Sequence, residues 1–155
     1  MAKWLVKTEP EECSIDDFAS TPDKPIVWEG VRNYQARNFL RQMREGDMAF
    51  IYHSSCKLIG IAGIARIVKE AYPDPAQFNQ KSPYFDGKSP KDNPRWDAVD
   101  MVHGEKFERL LPLDELKTID ALAALPLVKQ GNRLSVMPVS ESEWKAIVKV
   151  AGARK

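Results

Sequence analysis

The sequence predicts an α+β domain: a curved antiparallel or mixed sheet, open or closed into a small barrel, with helices packed on its outside. Three observations carry this. Strand-like runs alternate with short helices of unequal length, without the regular βαβ rhythm of a doubly wound sheet. No unit of roughly 20–50 residues repeats, which excludes a solenoid. The chain has 155 residues, enough for one core without staples, so a single domain over 1–155 is expected.

Residues 4–8 read as a first strand, stopped by Pro10. Ser14 caps a short helix over 15–19, with Asp17 in a weaker version of the capping-box position. A polar loop over 20–25 leads to a short extended segment over 26–28, and Gly30 permits a sharp turn. Over 33–44, Ala36, Phe39, Leu40 and Met43 recur at helical spacing, with Arg37, Arg41 and Arg44 on the other side. Gly46-Asp47 stops that helix. The nearly apolar run 48–53 predicts a central strand. A turn at 54–57 returns the chain as a second long strand, 58–68. Gly60 and Gly63 inside it signal bulges or a tight corner.

Residues 72–94 differ in character. Pro73, Pro75, Pro83, Pro90 and Pro94 predict an irregular loop, and Tyr72, Phe78, Tyr84 and Phe85 can pin it to the body. Alternation predicts a strand over 95–102 and a further strand or turn over 107–111. Short helices are expected over 113–117 and 119–125, the second capped by Thr118. Gly131-Asn132 turns into a last strand, 133–139. Ser140 and Glu143 form a capping box for a helix over 141–151, with Gly152 at its stop.

Composition narrows the function. A net charge of +1 excludes a uniformly basic binder, so any nucleic-acid surface must be local. Cys13, Cys56, His53 and His103 form no ligand spacing, so no metal, cofactor or disulfide framework is expected. No apolar run approaches the ~18–20 residues of a membrane span, and the N-terminal run is too short for a signal peptide. The expected setting is reducing and cytoplasmic.

Enzyme signatures fail. GxGxxG, GxxxxGK[ST] and GxSxG are absent. Pro73-Asp74 with Glu115-Leu116-Lys117 imitates a metal-dependent nuclease only loosely, across a long gap. Asp97 and Asp100, three apart on a strand, point to opposite faces, a poor geometry for paired acid–base work.

A base-binding pocket fares better. Unpaired bases are gripped by aromatic stacking and by hydrogen bonds to their edges, stacking contributing ~1–3 kcal/mol per base. Trp28 and Trp96 are the candidates for stacking, and Thr8, Asn33, Asn38, Ser54 and Ser135 for the edges. Arg32, Arg37 and Arg133 are candidates for phosphates. Each has a plainer reading. Pattern alone leaves Trp28 and Trp96 evenly balanced between core and cage, whereas Trp4 and Trp144 read as core. The arginines of 33–44 suit a solvated helix face, Asn33 suits a helix cap, and His53 suits a structural hydrogen bond.

Five segments carry a family resemblance: 4–10 (WLVKTEP), 28–38 (WEGVRNYQARN), Gly46-Asp47 with Tyr52-His53-Ser54, Pro94-Arg95-Trp96, and 133–136 (RLSV). In that order and extent the chain resembles the EVE-domain family. The resemblance implies a PUA-like fold, a small curved β-barrel with peripheral helices. It also implies a non-catalytic module that reads a modified base, modified cytosine in DNA or a modified RNA base. A nuclease or helicase is the partner such domains are associated with, although this chain reads as a stand-alone module. By analogy with the related YTH domain, Lys7 and Thr8 line the pocket, Trp28 takes the first cage position and Trp96 the second. Asn33, Tyr52, Ser54, Arg133 and Ser135 lie in the matching segments without an assigned role. ASCH-type relatives keep an enzyme acting on a nucleotide or RNA as an alternative, with Glu9, Glu29 or His53 as its acid or base. A protein-interaction module docking through 72–94 is the other alternative.

Overall fold

Strands that are apolar on both faces need cover on both, and that requirement shapes the architecture. The computed structural model describes residues 1–153. Six strands, β1 (Lys3–Thr8), β2 (Ile26–Trp28), β3 (Met48–His53), β4 (Gly60–Pro73), β5 (Asp97–Pro112) and β6 (Val136–Val139), form one sheet in the order β2-β5-β4-β3-β1-β6. β1 and β3 are parallel, and the other neighbouring pairs are antiparallel. The sheet is therefore mixed, and among the described residues it is open, with β2 and β6 as its edges.

Alternation sorts the side chains into two cores. Trp4 and Val6 of β1 join Ala49 and Ile51 of β3 on one face. Leu5 joins Phe50 and Tyr52 on the other. The first face is covered by α1 (Ile15–Ser20) and α2 (Tyr34–Gln42), through Ile15, Phe18, Ala36 and Leu40. The second is covered by α3 (Leu113–Leu116) and α4 (Glu141–Ala151), through Leu116, Trp144 and Ile147. Helix α2 packs on β4, β5 and β6. It is only about 13 Å long, whereas β5 and β6 lie four positions apart, about 19 Å on a flat sheet. The sheet must curl around the helix. Trp4 and Trp144 are both core, as their neighbours predict. Trp4 donates its indole N–H to Asp47 at 3.0 Å, and Trp144 stacks on Phe50 with centroids 3.8 Å apart.

The local signals hold at both capping boxes, Ser14 with Asp17 and Ser140 with Glu143. Gly60 and Gly63 flank a register shift, and a Cβ on them would lie 2.1 Å from the Leu111 carbonyl oxygen and 2.4 Å from that of Glu105. Only glycine allows β4 that close to β5. Four expectations need correction. Residues 97–112 form one strand, because pairing with β4 carries the chain through His103-Gly104-Glu105-Lys106, which has no apolar pattern of its own. β4 likewise runs past Val68 to Pro73, its outer half paired with β5. The last strand begins at Val136, not Arg133. In place of a helix over 119–125 there are 3-10 turns at Asp120–Leu122 and Pro126–Val128. Pro126 blocks continuation, and Thr118 donates its hydroxyl to the Glu115 carbonyl instead of capping. No helix among the described residues is long and apolar enough to cross a membrane.

Candidate functional site

Parallel pairing of β1 with β3 sets Thr8 opposite His53, so the residues that follow each strand emerge at one end of the sheet. There Lys7, Thr8 and Ser54 meet Ile26–Trp28, the 29–32 turn, the 82–84 loop, and Arg133 and Ser135. Together with Glu9, Glu12, Cys13 and Asp17 they line a cavity of about 750 Å³.

The turn after β2 is built by Gly30 and Asp74. Gly30 adopts φ +87°, and the Tyr84 ring lies where its Cβ would stand, at 2.8 Å. The Asp74 carboxylate is fully buried. It accepts the Gly30 N–H at 2.9 Å and the Arg32 guanidinium at 2.8 Å. Arg32 also donates to the carbonyls of Val31 and Tyr84 at 2.9 and 2.7 Å. Its guanidinium lies 5.5 Å from the Trp96 ring centroid and 5.6 Å from that of Tyr84. Trp96 stacks on Tyr34 at 4.8 Å, and Arg37 lies over Tyr34 at 4.8 Å. Two cations and three rings thus form a continuous ladder from α2 to the cavity wall, its cation–ring contacts contributing ~0.5–2 kcal/mol each.

This ladder corrects several site assignments. Trp96 does not line the cavity. Its ring is buried in the ladder and its indole N–H is held by Asp86 at 2.8 Å. Arg37 is also outside, bonded to the Arg95 carbonyl at 2.9 Å. Arg32 lines the cavity, but its donors are committed inward and do not suit a phosphate role. Asn33 is exposed and caps α2, accepting the Ala36 N–H at 2.9 Å. Asn38 is likewise engaged away from the cavity, with Arg37. Tyr52 belongs to the core of the other face, where burial pushes its hydroxyl up to about 12. Trp28 does line the cavity, but only 5% of it is exposed and it stacks on Phe18 at 6.3 Å. It backs the wall and offers no free face.

Lys7, Thr8, Ser54, Ser135 and Arg133 are brought together on the cavity. The Thr8 hydroxyl donates to the Cys13 carbonyl at 2.9 Å, and the Ser135 carbonyl receives the Lys7 N–H at 2.9 Å. Lys7 is half-buried, which lowers its ammonium below the usual lysine range. Arg133 is exposed and enters no ion pair among the described residues. Sequence reasoning placed Glu9 and Glu29 near the pocket but missed Tyr84 and two further carboxylates of the wall, Glu12 and Asp17. Tyr84 donates its hydroxyl to Glu12, and Asp17 is held in its capping box. Glu29 is exposed. Desolvation and then Asp74 raise its carboxyl above the usual range, with Arg32 opposing. Burial, then Asp17 and Glu12, push the Cys13 thiol up to about 11, which disfavours its thiolate at neutral pH.

His53 is structural. Its Nε2 accepts the buried Ile15 N–H at 3.1 Å, and burial lowers its basicity, with Asp16 opposing. The unfolded chain then binds the proton more tightly than the folded one. Stability is complete above the ordinary value of 6.5 and falls as the pH drops from there through the lowered folded value. Denaturant midpoints measured from pH 7.5 to 5 are expected to decline for the parent protein and to decline less for His53→Gln. Equal slopes would remove His53 from that account.

Among the described residues no group of His, Cys, Asp or Glu is placed to hold a metal ion. Asp74 and Glu115, the loose nuclease-like pair, belong to separate ion pairs with Arg32 and Arg109.

The fold is of the α+β, PUA-like class, and its candidate site is a polar-edged cavity with aromatic backing at the end of the sheet. The family profile described as EVE domain matches residues 2–150, and the chain belongs to that family. Thymocyte nuclear protein 1 of Gallus gallus is 43% identical over 161 residues, covering 94% of this chain, which spans 66% of that relative's length. A crystal structure from Pseudomonas syringae superposes with a TM-score of 0.94 at 49% identity, covering 97% of this chain and 99% of that one. The human THYN1 protein in complex with DNA containing 5-methylcytosine superposes with a TM-score of 0.88 at 41% identity, covering 100% of both chains.

Proposed function

We propose that this chain is a non-catalytic nucleic-acid-binding module that takes one modified base, a modified cytosine in DNA, into the cavity at the sheet end. The cavity carries the reading. Its 750 Å³ leaves room for a nucleobase and more of its nucleotide, Trp28 and Tyr84 back it, and Thr8, Ser54 and Ser135 edge it. Carboxylates accept hydrogen bonds from the exocyclic amino group of cytosine, and Glu9 and Glu29 are the wall carboxylates without a side-chain donor among the described residues. The acidic wall repels phosphate from the interior, while the rim cation Arg133 attracts it outside. The complex of the human relative with methylcytosine DNA supports the same choice of base. A modified RNA base is the alternative ligand. A reader needs an effector, so a nuclease or helicase is the partner we assign, and the cytoplasm is the compartment.

The enzyme alternative gains little. His53 has its Nε2 engaged by the Ile15 N–H, and Glu29, the wall carboxylate with raised affinity for a proton, is exposed to solvent. The test is a binding comparison of 5-methylcytosine and cytosine oligonucleotides at one fixed salt concentration. Preference for the modified strand is expected. Ser135→Phe, which fills the cavity from its edge, is expected to weaken modified-strand binding by about tenfold or more with the fold intact, the loss of one base's stacking and edge contacts. No preference, or full binding by a folded Ser135→Phe, would sink the reading.

A further inference from the structure

We propose that the loop over residues 79–91 is the second half of the nucleic-acid surface, and that Phe85 is a wedge entering a duplex beside the base held in the cavity. The inference rests on the base-reading role above. The loop's foot is fixed from inside. Buried Gln77 donates to the carbonyls of Asp74 and Trp96, both at 2.8 Å, and accepts from the Ser89 hydroxyl at 2.6 Å. The residues on either side of Phe85 are also turned inward. Tyr84 lies against Gly30 and its carbonyl holds Arg32, while Asp86 holds the Trp96 indole. Phe85 is left 41% exposed, its ring over Gly87.

Phe85 belongs to neither core, and the same loop forms the cavity lip through Ser82, Pro83 and Tyr84. Its charge points to the partner. Lys81, Lys88 and Lys91 are exposed; Asp86 is engaged by Trp96 and by Arg95 at 3.5 Å, and exposed Asp92 beside Lys91 offsets one of the three charges. In a chain of net charge +1 this loop adds to Arg133 the local cationic surface that phosphates require. Extruding a base leaves a gap in the stack, and an apolar side chain inserted there offsets part of the unstacking. A ring already held in place loses little freedom on insertion. An apolar patch for a protein partner would not call for three exposed lysines on the same loop.

The test uses the full chain and fluorescence anisotropy with 5-methylcytosine in a duplex and in a single strand, each with an unmodified control. Phe85→Ala is expected to weaken modified-duplex binding about tenfold, the effect of one lost stacking contact. It should leave the modified single strand within about twofold of the parent, because that strand has no gap to fill. Phe85→Leu, still an apolar wedge, should recover most of the loss, and Lys88→Ala should reduce the salt slope by about one. Unchanged duplex binding by Phe85→Ala overturns the wedge and leaves the ring to a protein partner. Equal loss on both forms overturns it too, since Phe85 would then act on the base or the fold. If the parent protein fails to distinguish modified from unmodified DNA in either form, the base-reading role falls first and the wedge with it.

Discussion

Asp74→Ala is expected to lower the stability of the protein by about 3–5 kcal/mol, the cost of breaking a buried ion pair by removing one partner. The Asp74 side chain has no solvent exposure and Arg32 retains 21%. One carboxylate serves the Arg32 guanidinium and the backbone N–H groups of Gly30 and Ala76, the last at 2.7 Å. Alanine leaves the guanidinium with carbonyl partners only and two N–H groups without acceptors. Denaturant unfolding should show a lower midpoint at an unchanged slope. Asp74→Asn should fall between parent and alanine, because the amide keeps the shape and loses the charge. A double change, Asp74→Leu with Arg32→Met, should cost less than the sum of its singles, since it removes both charges together. A loss below about 1 kcal/mol for Asp74→Ala, or strict additivity in the double change, would show that the pair is not the staple described. The same variant should weaken base binding, because Asp74 joins the 29–32 turn to the 74–96 loop across the cavity lip.

Local chemistry was legible wherever neighbours in sequence decide the outcome. Ser14 and Asp17, Ser140 and Glu143, and the spacing of Ala36 and Leu40 each specify an element within a few residues. The polar wall was legible in part for the same reason: Thr8, Ser54 and Ser135 each flank or end a strand, and three such strands are neighbours in the sheet. What escaped depends on partners far along the chain. Trp96 and Arg37 look like pocket residues by type, but Tyr34 and Arg32, more than 60 positions earlier, draw Trp96 into the ladder behind the wall, and Arg37 is held there by neighbouring Tyr34 and by the Arg95 carbonyl, 58 positions on. Tyr84 reaches the cavity because its loop closes over Gly30, 54 positions earlier. No periodicity encodes either event. The extension of β5 was hidden likewise, since a polar middle reads as a break until β4 pairs with it.

Trp28→Ala is expected to cost about 3–5 kcal/mol, the range for deleting a buried aromatic ring. Trp28 belongs to the same core as Phe18, Val31 and Met101, and its stack on Phe18 has an interplanar angle of 23°. Alanine at this position leaves a void between α1 and β2, next to the cavity. The variant would then lose binding whether or not Trp28 touches a base, so it cannot by itself assign a stacking role. Trp28→Phe separates the two contributions. It keeps a ring against Phe18 and should recover most of the stability, while changing the surface that backs the cavity. A double-mutant cycle of Trp28→Phe with Phe18→Leu should return a coupling of about 0.5–1.5 kcal/mol, the worth of an aromatic pair beyond its buried area. Binding of methylcytosine DNA by a fully folded Trp28→Phe then reads the wall alone. Unchanged affinity would confine Trp28 to the core, and a loss of tenfold or more would mean that the wall opens for the base. A Trp28→Ala protein as stable as the parent would contradict the packing itself.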